Sequence, residues 1–408
     1  MFPLLLFLAA LLQWLFTLWF KKWLRLRPKA ERLAAGEQQS TWAVICVRGA
    51  DPSLKQAIQR LLDQDYQSLK ICVMVDHESD LAHEVIAEIK TEVDDSRLLV
   101  RNLKSPLSTC SLKCSALAEG IEFLFEHDPA VVNFVMFDAD AGIDSEYVSR
   151  LVKPLTDPTV GLVSGVQWFE PSGGSGIGTI VRSLWNAGAV FFGMLFQNPW
   201  AGAFALRARD VKKLALLDLW RSSAVDDGPL KKRLAQHDLR CMTLPGLATV
   251  NKEECSNRFF LRWTTRILTW SRIHEPGFWL TFTQMVFATT LIVGSLVDLM
   301  RFPTHGLNWI LFWGSGVLSV LAWSTIRQAV RENSRCQSEF GRLGFALLLK
   351  AVLVMLIVQA FYAIACCRAA FAKNVRWRGV EYRINSMGLT LREYRPYSGT
   401  NDRGHSID

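Results

Sequence analysis

Hydrophobic positions along the chain change period twice. Residues Met1 to Phe20 run without a charged side chain, close to the roughly 20 residues an α-helix needs to cross a bilayer core. Three further apolar stretches lie near the end: Phe278 to Met300, broken only by Asp298, Leu307 to Ile326, and Leu343 to Cys367 with Lys350. Each is long enough to span, and both charges sit near stretch ends, where snorkelling to headgroups accounts for them. A fifth run, Ser183 to Phe196, is short for a span; lying against a membrane beside an acceptor entrance and packing in a core are the competing readings.

Between these blocks the pattern is that of an α/β unit. Thr41 to Val47, Lys70 to Val75, Arg97 to Val100 and Val131 to Phe137 read as strands. Leu54 to Leu62, Leu81 to Lys90 and Leu112 to Phe125 read as helices. The order β-α-β-α-β-α-β predicts a Rossmann-like, mostly parallel sheet with right-handed crossovers. The expected divisions are an N-terminal transmembrane helix (1–22), a juxtamembrane linker (23–40), a catalytic domain (41–257), an interfacial amphipathic segment (258–277), a region of three spans (278–367) and a basic C-terminal tail (368–408).

Composition narrows the class. Half of the 408 residues are hydrophobic and 21% charged, with 15 Trp and 24 Phe, which excludes disordered and fibrous classes. The net charge of +8 is concentrated beside the membrane segments, as in Lys21, Lys22, Arg25, Arg27 and Lys29, so it reads as a topology signal rather than a nucleic-acid surface. That places the middle block on the cytoplasmic side. Arg327, Arg331, Arg335 and Arg342 between the third and fourth spans agree, whereas Arg368, Lys373, Arg376, Arg378 and Arg383 would then lie outside. Either the tail breaks the rule or one apolar stretch dips in and returns. Nine scattered cysteines form neither a disulfide framework nor a zinc motif, and the seven histidines are isolated.

Candidate chemistry sits at strand ends, where open α/β sheets bind ligands. Asp76 follows the second strand, with Glu78 and Asp80 behind it, and Asp138 and Asp140 follow the fourth. Two carboxylates two residues apart offer oxygen ligands to a hard divalent ion whose remaining ligands come from a diphosphate. Pro171 to Gly178 is glycine-rich but lacks the Lys-Ser/Thr of a phosphate loop and reads as an ordinary loop. Asp227 opens a helical pattern through Leu230 and Leu234, for which helix capping is the structural alternative.

In order along the chain, Gly49-Ala50-Asp51-Pro52, Val75-Asp76, Lys113 with Gly120, Phe137-Asp138-Ala139-Asp140, Val160-Gly161-Leu162-Val163-Ser164-Gly165 and Val225-Asp226-Asp227-Gly228 resemble a family 2-type glycosyltransferase of the GT-A fold, most closely the ceramide glucosyltransferase group. The resemblance covers residues 41–275. It implies that Asp76 and Lys113 bind the nucleotide, that Asp138 and Asp140 bracket a diphosphate with Mg²⁺ or Mn²⁺, and that Asp227 is the general base. It puts Trp200 to Ala205 where the family forms a small-residue turn near the donor sugar. The family's next signature, Gln or Arg followed two residues later by Arg-Trp, is kept as Arg262 and Trp263 but has Phe259 at its first position, with Arg258 one residue early. The implied activity is inverting transfer of a hexose from a nucleotide sugar such as UDP-glucose to the hydroxyl of a membrane lipid such as ceramide. The alternatives are a polysaccharide synthase, a polyprenyl-phosphate sugar transferase, or a non-catalytic membrane scaffold.

Overall fold

A computed structural model describes residues 1–93, 96–275, 277–385 and 388–394. Helix α1 (Phe2–Arg25) is followed by strand β1 (Thr41–Val47), α2 (Leu54–Leu62), β2 (Leu69–Val75), α3 (Ala82–Glu92), β3 (Leu98–Asn102), α4 (Leu112–His127) and β4 (Asn133–Phe137). Then come α5 (Tyr147–Val152), β5 (Val160–Phe169), α6 (Ile177–Phe196), β6 (Ala203–Arg207), the short helices α7 (Ala208–Lys213), α8 (Leu216–Trp220) and α9 (Leu230–Ala235), and β7 (Arg240–Asn251). The chain continues through α10 (Asn257–His274), α11 (Phe278–Arg301), α12 (Gly306–Asn333), α13 (Phe345–Phe371), β8 (Asn374–Trp377), β9 (Val380–Asn385) and β10 (Gly388–Glu393).

The chain divides into two compact units. One holds Lys29–Gln167, Gly193–Thr249 and the chain from Ala372; its seven-stranded sheet has the order β3-β2-β1-β4-β6-β5-β7. β1 pairs in parallel with β2 and β4, and β2 with β3, as the alternating pattern predicts. β6 departs from it by lying antiparallel between β4 and β5. The buried strands are near-continuously apolar because both faces are covered. Helix α2 turns Leu54, Ile58, Leu61 and Leu62 into that core, each burial contributing about 1.5–3 kcal/mol. Gly165 marks a close approach: a Cβ there would meet the Leu247 carbonyl and the Tyr147 hydroxyl, which are hydrogen-bonded at 2.7 Å.

A second, three-stranded antiparallel sheet, β10-β9-β8, belongs to the same unit. Trp377 pairs with Val380 across the two-residue turn Arg378-Gly379, whose positive φ values (44° and 75°) match the primed turns that join twisted strands. The segment that reads as a basic tail is therefore partly folded, with Tyr382 buried and its hydroxyl accepting the Leu112 N–H at 3.1 Å.

The other unit holds Met1–Pro28, Trp168–Phe192 and Val250–Phe371. Among the described residues five helices, α1, α6, α11, α12 and α13, are long and apolar enough to cross a membrane. Helix α6 is the fifth; it is longer than the Ser183 to Phe196 run because it continues through Arg182 to Ile177. Its Phe191 packs on Phe16 and Phe20 of α1, while Phe192 remains half exposed. Arg327 is not a headgroup charge: it is buried in an ion pair with Glu170. Leu268, Phe278, Met285, Ala365, Cys366 and Ala369 form the core that joins α10, α11 and α13.

Candidate active site

The parallel strands end together. Val47 is level with Val75 and Ile45 with Phe137, so β2 and β4 flank β1 and release Asp76 and Asp138 from one sheet edge. Two strand spacings across the sheet and two residues along it separate them, about 12 Å.

Around Asp138 the acids converge. Ser111 caps α4, its Oγ accepting the Cys114 N–H at 3.2 Å, and this sets Lys113 in the helix's first turn. A cation there opposes the helix dipole and needs local compensation. It has two partners: Lys113 Nζ lies 2.6 Å from Asp138 Oδ1 and 2.9 Å from Asp226 Oδ2. Burial disfavours charge on Lys113, but Asp138 and Asp226 outweigh it and hold the ammonium well above the ordinary lysine range. Burial in turn lifts Asp226 above the usual carboxylate range against the pull of Lys113. Asp227 joins from the same loop, its Oδ2 accepting the Ala201 N–H at 2.8 Å. The neighbouring Gly202 carbonyl accepts the Asp138 N–H at 3.1 Å, so the turn before β6 links Asp138 to Asp227. Asp140, half-buried, lies in the turn that follows Asp138, closed by the bond from the Ala141 N–H to the Asp138 carbonyl.

Asp76 is buried against Arg48, whose guanidinium bonds Oδ2. Burial raises its carboxyl above the ordinary range, with Arg48 acting against the shift. Asp76 also lines a cavity of about 580 Å³ with His77, Arg101, Asn102, Lys104 and Tyr394. Asp80 is a scaffold acid: the Gly49 N–H donates to both of its oxygens at 3.0 and 2.9 Å, and the Ala82 N–H to one at 2.8 Å.

Arg258, Arg262 and Trp263 stand on α10, in the other unit. Arg258 and Arg262 are exposed, and Phe259 is buried. Trp263 meets Trp185 and Phe169 edge-on, with ring centroids 5.4 and 5.5 Å apart. The glycine-rich loop needs no phosphate, because the Glu254 carboxylate takes the Gly176 N–H at 3.2 Å and the Thr179 hydroxyl at 2.7 Å.

Sequence reasoning missed Arg48, Arg378 and Tyr394. Arg48 directly follows β1 and was accessible to the strand-end rule; nothing local marks Arg378, 330 residues downstream of it, or Tyr394 beyond.

Among the described residues no three His, Cys, Asp or Glu side chains form a ready metal cage. The donor set of Asp138 and Asp140 fits a hard divalent ion whose shell is completed by ligand oxygens.

The model of the family described as Glycosyl transferase family 21 matches residues 2–390. No curated protein matches the sequence significantly. Among solved structures, the chain is similar to the mannosyltransferase PcManGT from Pyrobaculum calidifontis in complex with GDP-Man and Mn²⁺, at 17% identity and TM-score 0.50, covering 91% of this chain and 98% of that one. It is also similar to glucosyl-3-phosphoglycerate synthase from Mycobacterium tuberculosis in complex with Mn²⁺, UDP-glucose and phosphoglyceric acid, at 15% identity and TM-score 0.39, covering 62% and 87%.

Proposed function

The chain belongs to glycosyl transferase family 21, and we propose that it is an inverting membrane enzyme that moves a hexose from a nucleotide sugar, UDP-glucose or a close relative, to a lipid hydroxyl at the cytoplasmic face. The observation that carries the reading is the pairing of Lys113 with Asp138 and Asp226 at one end of the sheet, with Asp227 tied to Asp138 through the Ala201-Gly202 turn, together with five helices of spanning length among the described residues. Ceramide is the acceptor the family resemblance favours.

The chemistry assigned to each group follows from charge. Asp76 accepts from the nucleobase. Lys113 supplies positive charge beside the diphosphate. Asp138 and Asp140 would hold a divalent ion, Mg²⁺ or Mn²⁺, which would neutralise charge on the leaving diphosphate. The family resemblance assigns Arg262, Trp263 and Arg258 to the diphosphate and the acceptor, with Arg262 as a planar multi-donor cation. Asp227, oriented by the Ala201 N–H, takes the proton of the lipid hydroxyl as its oxygen bonds to the anomeric carbon. The bond to the diphosphate breaks on the opposite face, and its electron pair leaves with the phosphate oxygen.

Connectivity supports a topology. Helix α6 connects β5 and β6, which are paired in one sheet, so it starts and ends on the sheet's side and does not cross. The sheet β8–β10 belongs to the same unit, so an even number of crossings separates Thr249 from Ala372. Helices α11 and α12, joined by a short turn at residues 302–305, make two. Helix α13 is a single unbroken helix, so on this count it lies along the membrane rather than across it: the loop before it bonds Glu170 through the Gly341 N–H at 3.0 Å, just after β5, and near its end the Ala370 carbonyl accepts Arg272 of α10. On this reading the basic tail lies on the cytoplasmic side, in keeping with its charge. Single cysteines at Thr304, Arg342 and Arg392 test it: an impermeant maleimide should reach the last two from the cytoplasmic side and the first from the other.

The defining experiment is incubation of the purified protein with labelled UDP-sugars and lipid extract, followed by mass analysis. A product carrying one added hexose on a lipid supports the assignment; donor turnover without any lipid product would overturn it.

A further inference from the structure

The C-terminal sheet is fastened to the donor side of the site at three points. Arg378, held at φ 44° where an L-residue is strained, donates through Nη1 to the Arg48 carbonyl at 2.9 Å and through Nη2 to Asp51 Oδ2 at 3.1 Å. Its own carbonyl accepts Arg48 Nε at 2.9 Å, so the two arginines hold each other's backbone. Tyr382 caps the start of α4, one residue before Lys113. Tyr394, just beyond β10, donates its hydroxyl to Asp76 Oδ2 at 2.9 Å, and the Arg48 guanidinium lies 4.8 Å from its ring centroid.

Two features turn this anchoring into a role. Among the described residues both donors to Asp76, Arg48 and Tyr394, meet the same oxygen, Oδ2, which fixes the carboxylate and leaves Oδ1 as an acceptor. Tyr394 also lines the 580 Å³ cavity with Asp76, a volume suited to a nucleoside.

We infer that the C-terminal sheet is a built-in wall of the nucleotide-donor site, in which Tyr394 is a positioning residue that orients Asp76 toward the nucleobase and Arg378 fixes the Arg48 that shares the task. The inference rests on the glycosyltransferase reading and adds a specificity element 318 positions beyond the strand-end Asp76. A wall that helps binding and a plug that blocks it differ in sign: removing the hydroxyl weakens nucleotide binding in the first case and tightens it in the second.

The test uses the full-length protein in detergent and calorimetric titration with UDP and, separately, with magnesium pyrophosphate. Tyr394→Phe is expected to weaken UDP about tenfold, as loss of a hydrogen bond to a charged group predicts, with pyrophosphate affinity and melting temperature unchanged. In an Asp76→Asn background the same substitution should have no further effect, because the hydroxyl acts through that carboxylate. Arg378→Ala should weaken UDP in the same direction. UDP binding by Tyr394→Phe equal to or tighter than wild type overturns the wall and leaves the enzyme assignment standing. Wild-type protein that binds no nucleoside diphosphate overturns both.

Discussion

Two buried charge clusters in this protein are built on opposite principles. In the unit that holds the long apolar helices Glu170 is met by Arg327 at both carboxylate oxygens, by the Gly341 N–H at 3.0 Å and by Trp168 Nε1 at 2.8 Å; side-chain exposures of 3% and 5% leave the pair buried and its charge balanced. In the unit that holds the seven-stranded sheet one lysine, Lys113, faces Asp138 and Asp226, with Asp227 one residue further on. The first cluster is complete as it stands. The second carries excess negative charge that a metal–diphosphate or a transferred proton would relieve. Balance marks structure, and imbalance marks chemistry.

Breaking the balanced cluster should have the largest effect. Arg327→Met leaves Glu170 buried and unpaired, a loss of about 3–5 kcal/mol that should appear as a collapse of the melting temperature in detergent; adding Glu170→Leu should restore much of it. Neutralising the unbalanced cluster should leave the fold intact and stop the reaction. Asp227→Asn is expected to reduce turnover by about 10²–10⁴-fold with UDP affinity nearly unchanged, and a variant of full activity would remove Asp227 as base. Asp140→Ala should raise the Mn²⁺ concentration needed for UDP-sugar binding by at least about tenfold, measured by titration.

Asp76 sharpens the contrast through pH. Its raised carboxyl takes up a proton at a higher pH than a free aspartate, so its acceptor capacity is lost as pH falls through that raised value. UDP affinity should therefore decline on acidification from above the ordinary carboxylate range, and Asp76→Asn should flatten that part of the profile. The smallest effect belongs to Asp128, a balanced acid held by Lys70 at 2.8 Å and Trp42 at 3.0 Å. The Lys70 hydrogen bond depresses its carboxyl below the usual range, so its contribution is present above about pH 4 and fades as pH falls through the depressed value. Asp128→Asn should lower stability by about 1 kcal/mol at neutral pH, with the difference vanishing in acid.

The sequence determined what local pattern can determine. Alternation of apolar runs with helical periods fixed β1 through β4 and their crossovers, because parallel strands buried on both faces must be continuously apolar. Strand-end position singled out Asp76, Asp138 and Asp140, and motif order supplied Lys113 and Asp227. Length and charge identified four of the five long apolar helices; α6 was undersized because Arg182 interrupts its run, a charge the fold accommodates by setting the guanidinium over Phe169. Tertiary structure alone decided the antiparallel insertion of β6, the burial of Arg327 against a glutamate 157 residues away, and the return of the C-terminal strands to Asp76. The reason is physical. Periodicity records which face of an element is buried, but a hydrogen bond between residues hundreds of positions apart depends on how the chain closes between them, and that leaves no mark on the neighbours of either residue.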